Sequence, residues 1–156
     1  GAKTHSAALV LFYFLAPETA FTGLSYVHSF DPEEMVFRAS APGVYGRQRD
    51  AAGRTYAVCE APTTRGSALW ERPEDHVARA WDELRAMRIV DAPAYDDVKI
   101  LKTPVSAKLP KVGFDAAADA LRAAFAARFP QALISDPLAF SKERILADVG
   151  RLLGGL

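Results

Sequence analysis

The chain has little of what marks an autonomous redox enzyme, a disulfide-bonded secreted domain or a membrane protein. Its 156 residues include one cysteine, Cys59, which excludes an internal disulfide and fits a reducing compartment such as the cytoplasm. The glycines are scattered and no GxGxxG is present, so the pyrophosphate-binding turn of a dinucleotide domain is missing. The apolar run at residues 7–15 is far shorter than the ~20 residues that cross a bilayer.

Charge and histidine content exclude further classes. Acidic and basic residues balance at 19 each, so the whole chain is not expected to attract nucleic acid or an anionic membrane. The three histidines, His5, His28 and His76, are widely spaced and lack a cysteine pair or an HExxH pattern, which gives little support to a metal site. Cys59 lies within a strand-like run, and no GxSxG elbow is present. The catalytic residues therefore stay unknown, and no metal is expected.

The N-terminal half of the chain reads as four strands. Residues 7–15 are expected to form a central strand buried on both faces. The even positions of residues 24–30 alternate with more polar neighbours, as in a half-buried strand. In residues 35–40 the odd positions are expected to share one face and the even positions the other. Residues 55–61 complete the set, and the order predicts a four-stranded meander.

Helices are predicted in the second half of the chain. Pro73 suits the first turn of a helix, which residues 91–93 end, and its apolar stripe has helical spacing: Val77, Ala80, Trp81, Leu84 and Met87. Residues 97–103 read as a strand that Pro104 ends or places at a sheet edge. Asp115 is expected to cap a helix over residues 116–129. A short strand at residues 133–134 and a third helix starting after Ser141 complete the pattern.

This order of elements predicts an α+β fold. It would hold an antiparallel or mixed sheet of about five or six strands, with about three helices packed on one side. A chain of 156 residues fits a single domain covering residues 1–156.

Arginines are concentrated between residues 38 and 65, where tyrosines interleave with them. The guanidinium group supplies five fixed donors and stacks on aromatic rings, so it suits carboxylates, phosphates and planar ligands. Arg38 lies inside a strand. It is either an anchor at a ligand cavity or a structural residue, on the polar face of a sheet or in an ion pair. The loop arginines fit a solvated face. The substrate-binding candidates are Arg38, with Tyr45 and Arg47 from the adjoining loop.

One protein superfamily shows the same order of motifs. Residues 6–109 contain "ALVLFYFL", "SYVHSFDPEEMVFRAS", "TYAVCEA", "LWERPEDHVARAWDEL" and "VKILKTPVSAKLP". In this order they resemble the substrate-binding part of the FAD-dependent amine oxidase and protoporphyrinogen oxidase-like superfamily, a pattern that pyranose-mutase-like oxidoreductases share. The resemblance covers about two-thirds of the chain, and each motif is short.

The resemblance implies a function for the sheet. In such enzymes it forms a wall of the cavity that faces the flavin ring, while a separate dinucleotide domain holds most of the FAD. The chain is then expected to be the substrate-binding part of a longer flavoprotein, orienting a small-molecule hydride donor and inactive by itself. FAD is expected in the full-length protein and not on this chain alone. The chain departs from the family in lacking the dinucleotide fingerprint and the C-terminal glycine-aspartate motif. Neither Lys3 nor Lys108 stands in a convincing motif for the flavin-side lysine of amine oxidases.

A second interpretation stays open beside it. The chain is then a stand-alone, non-catalytic α+β module that binds a small ligand or a protein partner. Its open sheet could form a homodimer along residues 7–15. A GxGxxG upstream in the native chain would favour the flavoprotein interpretation. Under both, we expect a cytoplasmic protein without a nucleic-acid partner or a membrane span. An independent hydrolase is disfavoured because no nucleophile–base pair is apparent.

Overall fold

The computed structural model describes residues 4–132, Leu146 and residues 149–150, and it divides into two compact units. One unit is His5–Leu109, and the other joins Gly1–Thr4 to Pro110–Leu156. The strand predicted at residues 133–134 and the start of the helix predicted after Ser141 lie outside the described residues.

The first unit is built on one five-stranded sheet. Its strands are β1 (Thr4–Pro17), β2 (Tyr26–His28), β3 (Arg38–Ser40), β4 (Arg54–Thr63) and β5 (Asp97–Pro110), in the order β2-β3-β4-β1-β5. The pairs β2–β3, β3–β4 and β4–β1 are antiparallel. β5 also runs antiparallel to β1, because Asp96 N–H donates to the Leu15 carbonyl (2.8 Å) and Ser106 Oγ–H to the Ala7 carbonyl (3.1 Å). The predicted α+β class and antiparallel sheet are confirmed.

The first strand does not occupy the place that a meander gives it. β2, β3 and β4 are consecutive neighbours, but β1 lies between β4 and β5. β1 pairs with β4 over ten positions, from Ala8 opposite Thr63 to Pro17 opposite Arg54. Since the short strands β2 and β3 offer only three pairing residues each, the long apolar β1 gains more hydrogen bonds beside β4 and β5. The four-stranded meander is therefore wrong.

One face of β1 is fully buried and the other is half-buried. Val10, Phe12 and Phe14 have no exposed surface, while their neighbours Leu11 and Tyr13 keep part of theirs. The prediction of a strand buried on both faces is therefore wrong. Buried and half-buried side chains alternate along β1, because its two faces have different surroundings.

Helix α3 (Val77–Ala86) covers the buried face of the sheet. The short helices α1 (Pro42–Tyr45) and α2 (Ala68–Glu71) come before it, and 3-10 turns lie at Glu18–Ala20 and Pro73–His76. Trp81 packs against Phe14 with ring centroids 5.2 Å apart. The predicted apolar stripe is confirmed, since Ala80, Trp81, Leu84 and Met87 are buried and Val77 packs against this core.

Two helix boundaries differ from prediction. Pro73 begins a 3-10 turn, and the α-helix starts four residues later at Val77. The short helix α2, which the sequence did not predict, precedes this turn. Ser67 Oγ caps α2 by accepting a hydrogen bond from Trp70 N–H (3.2 Å).

The last strand is longer than predicted. β5 continues through Pro104 to Pro110, and among the described strands it lies at the edge of the sheet, as expected. An edge position tolerates proline because one side of the strand needs no donor.

Helix α4 (Phe114–Arg128) is the main described element of the second unit. Gly113, with φ of 80°, occupies the N-cap position, so Asp115 lies in the first turn and does not cap the helix as predicted. No helix in the described part of the chain is long and apolar enough to cross a membrane.

Candidate ligand-binding face

The face of the sheet turned away from α3 carries a mixture of apolar, aromatic and charged side chains. We call it the open face, and its members on four neighbouring strands are Leu11, Tyr13, Tyr26, His28, Arg38, Ser40, Val58 and Glu60. Each strand contributes two of these residues, and the two are two positions apart. Because side chains alternate between the faces of a strand, both therefore lie on the same face.

The pairing register arranges the open face in two rows across the strands. In the first row His28 pairs with Arg38, Arg38 with Glu60, and Glu60 with Leu11. Directly paired residues have Cβ atoms about 4.5–5.5 Å apart, so each row is a line of neighbouring side chains. The first row therefore runs from a polar edge towards an apolar centre.

The second row is more aromatic and apolar. Tyr26 pairs with Ser40, Ser40 with Val58, and Val58 with Tyr13. Tyr26 is 53% exposed, while Val58 is buried, so the accessible part of the open face lies towards β2.

A β-bulge shapes this edge of the sheet. Phe37 N–H donates to the Glu60 carbonyl (2.9 Å), although Arg38 is the residue paired with Glu60. Two residues of one chain segment thus oppose a single residue of β4, as in a bulge. Val36 and Ala39, three positions apart, are both fully buried. The strict alternation predicted for residues 35–40 is therefore wrong.

The bulge also brings the Phe37 ring into an aromatic cluster. We call Tyr26, His28, Phe30 and Phe37 the aromatic corner. The His28 ring lies 4.8 Å from both Tyr26 and Phe37 and 5.9 Å from Phe30, between centroids. Tyr26 Oη and His28 Nε2 are hydrogen-bonded. Phe30 is 85% exposed, so the corner presents ring surface to solvent.

Arg38 joins the aromatic corner to β4 through an ion pair. Its Nε donates to Oε1 of Glu60 (2.7 Å), and Nη2 donates to the same oxygen. The guanidinium carbon lies 5.9 Å from the centre of the Tyr26 ring. The hydrogen bond to Glu60, with a smaller one to Tyr26, raises the pKa of Arg38 above its ordinary value. The structure shows the ion pair of Arg38 with Glu60, and a role of Arg38 in ligand binding stays a prediction.

The ion pair still offers hydrogen-bonding groups to a ligand. Both bonds from Arg38 end on Oε1, and Oε2 of Glu60 has no hydrogen bond to any described residue. Because the two charges compensate each other, the pair presents a donor and an acceptor with little net charge. Beside the rings of the aromatic corner, this chemistry suits an uncharged ligand that carries a ring and polar substituents.

In the described part of the chain, the other two predicted binding residues, Tyr45 and Arg47, make no polar or ring contact with Arg38. Tyr45 ends α1 and is 67% exposed, and Arg47 is exposed with φ of 50°. Within residues 4–132 no hydrogen bond, ion pair or ring contact joins either of them to Arg38. Their role in substrate binding stays a prediction.

Two other loop arginines have structural partners. Arg49 donates to the Gly43 carbonyl (2.7 Å) and pairs with Glu18, and Arg54 pairs with Asp50 (2.7 Å). They hold the turns at this end of the sheet.

Nucleophilic and metal chemistry find little support. Cys59 is fully buried in the core, and burial raises the pKa of its thiol well above the ordinary value, so a reactive thiolate is disfavoured. No group of three or more His, Cys, Asp or Glu side chains in the described part of the chain could hold a metal ion.

Comparisons with known proteins point to one fold. No protein-family model matches the sequence, and a search of curated proteins finds no match. A solved structure, that of reduced UDP-galactopyranose mutase, matches with a TM-score of 0.59. This chain shares its fold with part of UDP-galactopyranose mutase. The match covers 81% of this chain but only 27% of the mutase chain, at 9% sequence identity, so the likeness to the mutase concerns the fold alone.

Proposed function

We propose that the His5–Leu109 unit is the substrate-binding part of a longer FAD-dependent oxidoreductase-like protein. The open face would form a wall of the substrate cavity, and a flavin-binding part would close the cavity from the other side. One observation carries the proposal: the sheet is closed by α3 on one face, while the other keeps a neutral ion pair beside accessible aromatic rings.

Two independent lines support a flavoprotein context. The sequence motifs resemble those of flavin-dependent oxidoreductases, among them pyranose-mutase-like enzymes. The matching structure is a mutase, which is a flavoenzyme, and the chain spans about a quarter of it. Because the chain lacks a dinucleotide fingerprint, FAD would bind mainly to the partner part. The chain alone would then be inactive, and its substrate would be a small molecule.

The first test is a titration of the chain with FAD, followed by flavin fluorescence and absorbance. We expect no stoichiometric binding, because the sequence contains no GxGxxG turn to hold the pyrophosphate of FAD. Stoichiometric binding would contradict the division of labour that we propose.

A second test maps the ligand-binding surface. A panel of uncharged ring-bearing compounds is titrated into the ¹⁵N-labelled chain, and amide shifts are followed by NMR. We expect shifts at Tyr26, Arg38 and Glu60, and Phe30→Ala should weaken them. The matched control is Leu121→Ala on α4, which also removes an exposed apolar side chain. An absence of shifts in β2 and β3, or equal effects of Phe30→Ala and Leu121→Ala, would contradict the assignment of the open face as the ligand-binding surface.

The stand-alone module remains the second candidate function, favoured by the exposure of Phe30 and Tyr26. Exposed aromatic side chains are typical of protein-binding surfaces. Under this proposal the chain binds a protein partner or forms a homodimer through the aromatic corner. Sedimentation velocity over a range of concentrations tests the homodimer, and Phe30→Ala should then shift the equilibrium towards monomer.

A further inference from the structure

A cavity of about 380 Å³ opens at one end of the sheet, within the His5–Leu109 unit. It is lined by His5, Ser6, Thr64, Arg65 and Pro104. None of these residues belongs to the open face defined above.

The cavity forms because neighbouring strands end at different heights. The last pair of β1 and β4 is Ala8 opposite Thr63, so β1 projects beyond its partner. The chain after β4 turns away: Ser67 N–H donates to the Thr64 carbonyl (3.2 Å), and Gly66 supplies the φ of 85° that the turn needs. This turn leaves Thr64 and Arg65 beside the projecting start of β1.

Four of the five lining residues carry side-chain hydrogen-bond donors. Arg65 supplies a guanidinium fork, Ser6 and Thr64 supply hydroxyl groups, and the His5 ring donates through at least one nitrogen. No carboxylate of residues 4–132 lines the cavity. A concave surface with donors and positive charge, and with no acid to neutralise them, favours an oxyanion.

Arg65 differs from most arginines of this unit. Six of them form ion pairs with carboxylates: Arg38, Arg49, Arg54, Arg72, Arg79 and Arg85. In the described part of the chain the Arg65 side chain has neither an ion pair nor a hydrogen bond. Its charge is thus available to a ligand in the cavity.

We propose that this cavity binds a tetrahedral oxyanion of the phosphate class, free or as a phosphate monoester. Arg65 makes the charge-assisted contact, while Thr64, Ser6 and His5 donate to the remaining oxygens. The proposal does not depend on the function assigned to the open face.

The test follows amide shifts of residues 5–6 and 63–66 by NMR. Inorganic phosphate and glycerol 3-phosphate are titrated separately, at ionic strength held constant with chloride. We expect saturable shifts at these residues with both probes. Tighter binding of inorganic phosphate would identify the free anion as the ligand, and tighter binding of glycerol 3-phosphate would identify a phosphate monoester. Arg65→Ala should weaken binding about tenfold or more, since a hydrogen bond to a charged group is lost. Arg65→Lys keeps the charge but loses the fork, so it should give an intermediate affinity.

Arg72→Ala is the matched control, because it removes the same charge from an exposed arginine that already pairs with Asp75 (3.4 Å). It should leave the affinity within about twofold, as expected for a surface position outside the cavity. Thermal melts of each variant show whether the fold is intact. Equal losses in Arg65→Ala and Arg72→Ala, or the same shifts with chloride alone, would overturn the proposal.

Discussion

At the scale of single residues, Glu83 joins the helix layer to the bulged edge of the sheet. Its carboxylate accepts hydrogen bonds from Met35 N–H (3.1 Å) and Val36 N–H (2.6 Å), and from Nε of Arg79 (2.7 Å). Since Val36 has no exposed surface, its N–H has no route to water. The Glu83 side chain thus satisfies backbone groups that the irregular strand leaves free.

Glu83→Ala should destabilise the fold by about 2–4 kcal/mol, because two backbone donors lose their acceptor. The measurement is the free energy of unfolding from urea titration. The neighbouring Asp82→Ala is the control, since its exposed carboxylate makes only a 3.6 Å ion pair with Arg85, and it should cost less than about 0.5 kcal/mol. A loss for Glu83→Ala no larger than that of the control would contradict this role.

The sequence predicted some of these residues and could not predict others. Tyr26 and His28 alternate in β2 and Phe30 follows two positions later, so their proximity followed from a local pattern. Glu60 and Glu83 act on partners 22 and 47 positions away in the chain, and nothing local marks such pairs. Arg38 was predicted as a site residue with an ion pair as its alternative, but its partner became visible only with the strand register.

At the scale of elements, the C-terminus of α3 shows a Schellman motif with an unusual residue. Ile89 N–H donates to the Leu84 carbonyl (3.1 Å), and Arg88 N–H to the Arg85 carbonyl (2.9 Å). Ile89 and Leu84 are both fully buried, which supplies the hydrophobic contact of the motif. Arg88 takes the left-handed position with φ of 59°, where glycine is usual.

Arg88→Gly should therefore stabilise the protein by about 1 kcal/mol, since it relieves a left-handed conformation in a residue that has a Cβ. Arg85→Gly removes the same charge one turn earlier, inside the helix, and should destabilise by about 1 kcal/mol. Thermal denaturation of both variants checks the opposite signs. If Arg88→Gly is less stable than the parent protein, the arginine side chain stabilises the fold by more than its left-handed backbone conformation destabilises it.

The turn before β4 contains a carboxylate whose hydrogen bonds favour its charged form. Asp50 Oδ1 accepts from the N–H groups of Ala52 and Arg54 (2.9 Å each), and Oδ2 from Arg54 Nε (2.7 Å). The Arg54 backbone bond, followed by its side chain, lowers the pKa of Asp50 below the ordinary 3.8.

A depressed pKa in the folded state means that Asp50 stabilises the fold above its unfolded pKa, and that this contribution is lost as pH falls through the lower folded value. Asp50→Asn should lower the Tm at neutral pH. The Tm difference from the parent protein should shrink as the pH falls below about 4. Melts recorded across this range check it, and a difference that stays constant at acidic pH would exclude the linkage.

At the scale of the whole molecule, strand order decides which backbone amides of the sheet are most protected from exchange with solvent. β1 has a hydrogen-bonded neighbour on each side, whereas β2 is a three-residue strand at the edge. The sequence revealed the strands but not this order, because residues 8–17 pair with residues 54–63, which lie 37 to 55 positions away along the chain. The apolar composition of β1 predicted its central place correctly.

Hydrogen exchange should report the same order. The amides of Phe12 and Phe14 should be among the slowest, exchanging only when the unit unfolds globally, while those of Tyr26 and Val27 should exchange through local opening. Native-state exchange measured by NMR checks this ranking. Protection of Tyr26 as high as that of Phe12 would argue that β2 is covered by a further strand or by a second copy of the chain.

Pro104 has a consequence for the behaviour of the protein at high concentration. β5 is a 14-residue strand at the edge of the sheet that the described residues form, and its exposed side chains include Leu101, Val105 and Leu109. Long flat edges with apolar side chains are templates on which further chains add and fibrils grow. A proline near the middle removes one donor from the row and divides it into two short stretches, which guards the chain against polymerising through its own edge.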